Sequence, residues 1–517
     1  MALHPFHQTS IFESNTRLFC KEWNLKIGKD LAKAYLSLPE VQDCDILWAM
    51  GIWSFSPASI EIAKAHPGLQ MDFKKYLSDY MENDVIGSAY AIFDYIPNTN
   101  LCDSWEDLLE FKKTLNEAGK KLILDFVPNH LSVDSIWIER KPNAFLEKED
   151  KTNYSQNDPN FFQHGNGRIY AHGRDPYFSG WTDTVQFDFS NKESIDLAIE
   201  FLLKIAEYSD GVRCDMAMLP LEDVFYKTHT KQALPYWDSI ISAINHKFPN
   251  FIWIAEVYWN REYELQKKGF HLTYDKILYD RLKAKQATPI LGHLQAEREY
   301  QKHSLRFLEN HDEERATLIF KDNIRNYWSL LNFLEGAVLV HEKQSQGLLE
   351  KVPVQLGRYK EEAPKQDIIN FYRRVHSVLK LRKSTTKDID SLFLNAFDSN
   401  SSLDSIEINI PYFADPNYFS YESNTIKLFI RVILTAPSQW EIFIWNPNDF
   451  IVSGRAMVTD TIPDNCKTLK SCMFHDIIND SYYSHNMKEL LEYGFYFKLH
   501  PSQAHWLVLD YRNLNFQ

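Results

Sequence analysis

The stretch KLILDFVPNH, Lys121 to His130, decides how the rest of the chain is read. Leu122, Ile123 and Leu124 are an unbroken apolar run, the pattern of a parallel strand covered on both faces. The run closes on a carboxylate, Asp125, and Pro128, Asn129 and His130 then suit a loop rather than more strand. An acid at the point where a buried strand meets its loop sits where a parallel α/β barrel builds an active site.

The pattern returns three times. DGVRCDMAM places Arg213 and Asp215 at the end of a short apolar stretch. FIWIAEVYW places Glu256 directly after Phe251, Ile252, Trp253, Ile254 and Ala255. LRFLENHDEERA places Asn310, His311 and Asp312 after Leu305, Phe307 and Leu308. One such acid is most often a structural partner for an arginine or a backbone amide. Four together resist that reading, because buried carboxylates without a task are costly to keep.

In order and in residue type, DFVPNH, GVRCD, AE and ENHD resemble the four short signature regions of the α-amylase superfamily, glycoside hydrolase family 13. The resemblance runs from roughly Asp45 to Tyr372 and continues more weakly to the end. It implies a (β/α)8 TIM barrel with a lobe inserted after strand three and a C-terminal antiparallel β domain. It also implies retaining chemistry on α-glucosidic linkages. Carried over residue by residue, it makes Asp215 the nucleophile, Glu256 the general acid/base, and Asp312 a stabiliser of the transition state that binds sugar hydroxyls. His130 and His311 match residues that hydrogen-bond the sugar at the cleavage point, and Asp125 and Arg213 join them as substrate-binding positions. Tyr90, in GSAYAIFDY, matches a tyrosine that stacks under the glucosyl ring, with Asp94 and Tyr95 accompanying it; read from its residues alone, Tyr90 serves equally well as core.

Arg213 shares a face with Asp215 by the period of two and is expected to keep it ionised. Glu256 has no basic residue near it in sequence and is expected to hold its proton longer. Many family members carry a Lys-His pair shortly after the nucleophile, where the histidine offers a carbonyl to calcium. Here the run is DMAMLP, which leaves Asn129 as the family-type calcium candidate and predicts no metal and no cofactor. HEKQSQG, after the expected eighth strand, resembles the family's turn at that place only loosely.

The 517 residues are enough for a large barrel with satellite domains, and 44% hydrophobic and 24% charged content is that of a globular protein. The net charge of -14 argues against a nucleic-acid backbone or an anionic membrane as partner. The six cysteines are scattered with no CxxC, which speaks against zinc and for free thiols in a reducing compartment. The N-terminus has neither a charged leader nor an apolar core, and no apolar run reaches membrane length, so the expected location is cytoplasmic.

Along the chain, strand candidates lie within Ser10 to Phe19 and at DILWA, Asp45 to Ala49, with a long connection from Gly51 to Asn83. Trp105 to Ala118 has helical spacing, and Gly119 suits its C-terminal cap. Asp125 and Asp215 are about ninety residues apart where one βα unit needs about 30, so a lobe is inserted between them. Its last part, WTDTVQFDFSN, loosely resembles a fifth family signature, which would turn Trp181, Gln186 and Tyr177 toward the cleft. Helices are expected at Lys192 to Tyr208, Tyr236 to Phe248 and Ile368 to Leu381, the sixth strand at HLTYDK and the eighth at GAVLVHE. Beyond about Lys383, IKLFIRVIL, WEIFIWNP, YGFYFKLHP and HWLVLDYR alternate with period two, as antiparallel strands do. The expected division is 1–131 and 192–385 for the barrel, 132–191 for the lobe and 386–517 for a β-sandwich-like domain.

The sequence thus points to a retaining glycoside hydrolase of amylase or α-glucosidase type, taking an α-1,4-glucan or maltooligosaccharide. A transglycosylase sharing the covalent intermediate is the alternative. A non-catalytic glycan-binding protein is the third reading, and the presence of Asp215, Glu256 and Asp312 together speaks against it.

Overall fold

The computed structural model describes residues 9–385, 389–392, 397–398, 405–410, 420–422, 427–435, 439–456 and 464–510. The leader reading of the first eight residues, the boundary at 386, and Tyr511 and Arg512 of the last alternating segment lie outside the described residues.

Eight parallel strands close a barrel: β1 (Thr9–Asn15), β2 (Ile46–Met50), β3 (Lys121–Phe126), β4 (Gly211–Cys214), β5 (Ile252–Ala255), β6 (Leu272–Tyr274), β7 (Ser304–Arg306) and β8 (Ala337–His341). β1 closes the ring, pairing with β8 on one side and β2 on the other. Each strand sits near its expected place, because strands buried on both faces leave continuous apolar runs. The stretch from Gly51 to Asn83 is more than a connection: it holds the strand Trp53–Phe55 and the helices Pro57–Ala65 and Pro67–Tyr76.

Local chemistry fixes the elements that carry the site. The helix Trp105–Glu117 starts where Ser104 Oγ accepts from the Asp107 amide, with Glu106 and Asp107 in its first turn. It stops at Gly119, whose φ of 76° is the left-handed conformation that a closing turn needs. β3 follows at once. Gly211, at the start of β4, packs so tightly on β5 that a Cβ there would fall on the Ile252 carbonyl. That close approach sets the register in which Arg213 lies level with Asp125 and with Ile254.

Between β3 and β4 two small antiparallel pairs form, His130–Ser132 with Thr184–Gln186 and Phe161–Gln163 with Ile169–Ala171. Toward the C-terminus, a larger antiparallel sheet includes Lys427–Thr435, Gln439–Trp445 and Ala504–Asp510. In the smaller sheet, Ser405–Ile410 and Ile451–Ala456 run parallel, a departure from the purely antiparallel expectation. The larger sheet is tied to the barrel by a buried ion pair: Arg382 donates to both oxygens of Glu441, at 3.0 and 2.6 Å. All six cysteines are free and buried. Among the described residues, no helix is long and apolar enough to cross a membrane.

Candidate active site

The C-terminal ends of the barrel strands converge on one fully buried guanidinium. Arg213 Nη1 donates to Asp215 Oδ1 at 2.9 Å, and Nη2 donates to Glu256 Oε2 at 2.8 Å. Asp125 Oδ1 lies 3.6 Å from the same Nη1. Trp48 and Tyr90 present their rings to the guanidinium at 5.0 and 5.2 Å. One cation therefore serves three carboxylates.

Three like charges on one cation cannot all be retained in a dry site. Burial, reinforced by Glu256, holds Asp215 well above the usual carboxylate range in spite of Arg213. Burial likewise lifts Asp125 to about 6, against the pull of Arg213. Two expectations are corrected here. Arg213 does touch Asp215, but desolvation and the neighbouring acid outweigh its charge. Glu256 does have a basic neighbour, because β4 and β5 are adjacent and bring Arg213 to it across the sheet. Glu256 also accepts from the Met216 amide at 2.8 Å and from the Tyr258 hydroxyl at 2.6 Å. Met216 reaches it from a backbone with φ 43°, an uncommon conformation for a side-chain-bearing residue.

Asp312 stands apart, with its side chain 48% exposed at the mouth while Asp215 and Glu256 are buried. His311 Nε2 lies 3.1 Å from Asp312 Oδ2 and 2.8 Å from the Tyr90 hydroxyl. Desolvation works to raise Asp312, but the His311 charge holds it well below the usual range. Tyr90 lies nearly parallel to His311, with ring centroids 5.3 Å apart. His130 is pushed down to about 3 by burial, so it is neutral, and it packs against Trp181 at 5.3 Å.

Other expected site residues stand elsewhere. Asp125, 2% exposed, accepts from the Trp48 indole at 3.2 Å and the Gly51 amide at 3.3 Å, so it supports Arg213 from behind instead of opening onto the cleft. Gln186 is wholly buried and does not face the cleft. Its Nε2 donates to Asn129 Oδ1 at 2.9 Å, to the Asn129 carbonyl at 3.0 Å and to the Phe187 carbonyl at 3.1 Å. An N–H2 group thus occupies the place where a cation would gather those oxygens. The residues do not fit a calcium ion, and among the described residues no cluster of three or more His, Cys, Asp or Glu could hold a metal. Tyr177 is 57% exposed and meets the ring of Trp259 at 5.1 Å.

Sequence reasoning missed Glu13, Trp48, Tyr258 and Tyr274. Tyr274 lies on β6 with its hydroxyl 3.3 Å from Arg213 Nε, and Glu13 is fully buried against His311. The signal for Glu13 was present: it is a further acid on a strand, after the apolar pair Ile11 and Phe12.

No family model matches the sequence, and no curated protein matches it. The structure, however, is similar over most of the chain to solved ones. The fold is the α-amylase fold. A noncanonic maltogenic α-amylase, AmyB, from Thermotoga neapolitana shares 18% identity at a TM-score of 0.61, covering 97% of this chain and 98% of that one. The α-amylase from Geobacillus thermoleovorans, solved with acarbose, shares 14% at 0.60, with coverage of 97% and 98%. The trehalose-6-phosphate hydrolase of Bacillus licheniformis shares 12% at 0.61, with coverage of 97% and 99%. At these identities the likeness establishes architecture, and the chemistry has to be argued from the residues.

Proposed function

We propose that this chain is a glycoside hydrolase of the α-amylase family that cleaves α-glucosidic linkages with retention. The observation that carries the reading is the shared guanidinium: Arg213 joins Asp215 and Glu256 at the mouth of the barrel, with Asp312 exposed nearby. Retaining hydrolysis needs two carboxyl groups that between them hold one charge and one proton. A pair fixed on a single cation in a buried site meets that need, because the first charge is compensated and the second is opposed. Before substrate binds, burial favours the proton on Asp215. In the reacting form the pair's one charge is on Asp215 and its one proton on Glu256, so Asp215 attacks the anomeric carbon while Glu256 protonates the departing oxygen. Glu256 then takes a proton from a water whose oxygen attacks the anomeric carbon, which breaks the Asp215–sugar bond and returns Asp215 as a carboxylate. Asp312 and neutral His130 bind hydroxyls, and the Tyr90 ring supports the apolar face of the sugar.

The substrate is an α-linked glucan or maltooligosaccharide, the reading that two of the named structural neighbours, both α-amylases, favour, while the third is a trehalose-6-phosphate hydrolase. Starch, glycogen, maltooligosaccharides, sucrose and trehalose are offered in turn, and the anomer first released is followed by proton NMR. The α-anomer is expected from at least one of them. A β-anomer, or no turnover on any of the panel, would refute the proposal.

A further inference from the structure

We propose that Glu13 is a positioning residue that holds His311 as an imidazolium, aimed through its second nitrogen at Asp312 and Tyr90. The inference deepens the functional reading given above and rests on it for its catalytic consequence. Its structural part stands by itself.

The geometry argues it first. Glu13 lies on β1, level with Trp48 on β2 and His341 on β8, and is fully buried. Its Oε1 sits 2.5 Å from His311 Nδ1 and also faces the His311 backbone amide at 3.4 Å. On the other side of the ring, Nε2 faces Asp312 Oδ2 at 3.1 Å and the Tyr90 hydroxyl at 2.8 Å. A neutral imidazole donates from one nitrogen only. Here both nitrogens face a carboxylate oxygen, so both are donors and the ring carries a charge. Among the described residues Glu13 Oε2 has no hydrogen-bond partner, so the carboxyl group is held in the site through the contacts that Oε1 makes with His311.

The other groups around His311 agree. Asp125 and Arg213 also act on this cluster, with opposite signs, and Trp48 meets the ring edge-on at 5.6 Å. Burial works to lower His311, but Asp312 and Glu13 together raise it to about 10. With His311 charged, Asp312 stays an anion in a cleft crowded with acids, and the Tyr90 hydroxyl is held in place. Without Glu13, His311 would be left with Asp312 alone, half in solvent.

The test is Glu13→Gln, which keeps the shape and removes the charge. His311 is titrated by NMR in the wild type and in the variant, with His311→Asn used to assign its signal. Loss of a contact carboxylate is expected to lower the His311 pKa by about 1–3 units. The pH profile of kcat/KM on whichever glucan the wild type turns over is expected to gain an earlier alkaline limb, with KM affected more than kcat. Glu13→Asp, whose carboxylate is one methylene short, is expected to recover part of both shifts and guards against simple misfolding. An unchanged His311 titration in a folded variant would overturn the proposal. A shifted titration in a protein that hydrolyses no glucan would leave Glu13 in its positioning role and refute the functional reading instead.

Discussion

Arg213 reaches Glu256 at 2.8 Å from the neighbouring strand, and that contact couples the two acids expected to do the chemistry. Asp215 and Glu256 stand on adjacent strands, one residue past the last paired position of each. Their protonation states therefore belong to the pair. Arg213→Lys keeps a charge but loses the planar fork that serves two carboxylates at once. Turnover is expected to fall about 10²–10³-fold, the usual scale for losing one preorganised donor. Steady-state kinetics with circular dichroism as a folding control would check this. A Lys variant with near-normal kcat would show that the fork is dispensable.

The two acids should separate on an activated aryl glucoside. Asp215→Asn is expected to abolish turnover, because no covalent intermediate can form. Glu256→Gln should still form it, since an activated leaving group needs little protonation. Added azide should then yield an α-glucosyl azide, retained through two inversions. A β-azide would mean direct displacement and would remove Asp215 as nucleophile.

Gln186 predicts indifference to calcium. Its amide already gathers two oxygens of Asn129 and the carbonyl of Phe187. Exhaustive chelation is expected to leave both Tm and turnover unchanged. Gln186→Ala leaves buried acceptors without a donor and is expected to cost about 1–3 kcal/mol. Gln186→Glu puts a carboxylate among those oxygens, and calcium should then restore part of the lost Tm. A wild type that melts earlier after chelation would contradict this account.

Asp275 is a structural acid that bears on the fold alone. His293 lies 2.8 Å from it and Arg306 3.1 Å, and its Oδ1 caps the following helix at the Leu278 amide. Although burial opposes it, His293 and then Arg306 bring it down to about 2. A depressed carboxylate contributes stability that is full above its unfolded value near pH 4 and is lost as pH falls through about 2. The contribution is of order 2–3 kcal/mol. Denaturant midpoints of wild type and Asp275→Asn should differ at pH 6 and draw together as the pH falls toward 2. A gap that stays constant with pH would assign the loss to packing.

How much the sequence by itself determined follows from the range of each signal. Burial on both faces of a strand writes an apolar run into consecutive residues, so β3, β4, β5 and β8 were legible one at a time. Each acid at the end of such a run was legible too. Gly119 and the helix before it could be read from capping chemistry, which spans only a turn. What the sequence could not carry was any relation between strands. Arg213 touches Glu256 because β4 and β5 are neighbours, although 43 positions separate the residues, so the basic neighbour of Glu256 could not be read from the residues around it in sequence. Glu13 reaches His311 across 298 positions, because barrel closure brings the first strand beside the last ones. Gln186 turned inward because the antiparallel pairing of two strands far apart in sequence placed it against Asn129. The chain order supplied the acids, and ring closure alone chose which cation, histidine or amide each would face: Coulomb and hydrogen-bond energies depend on distance in space, which only the closed barrel defines.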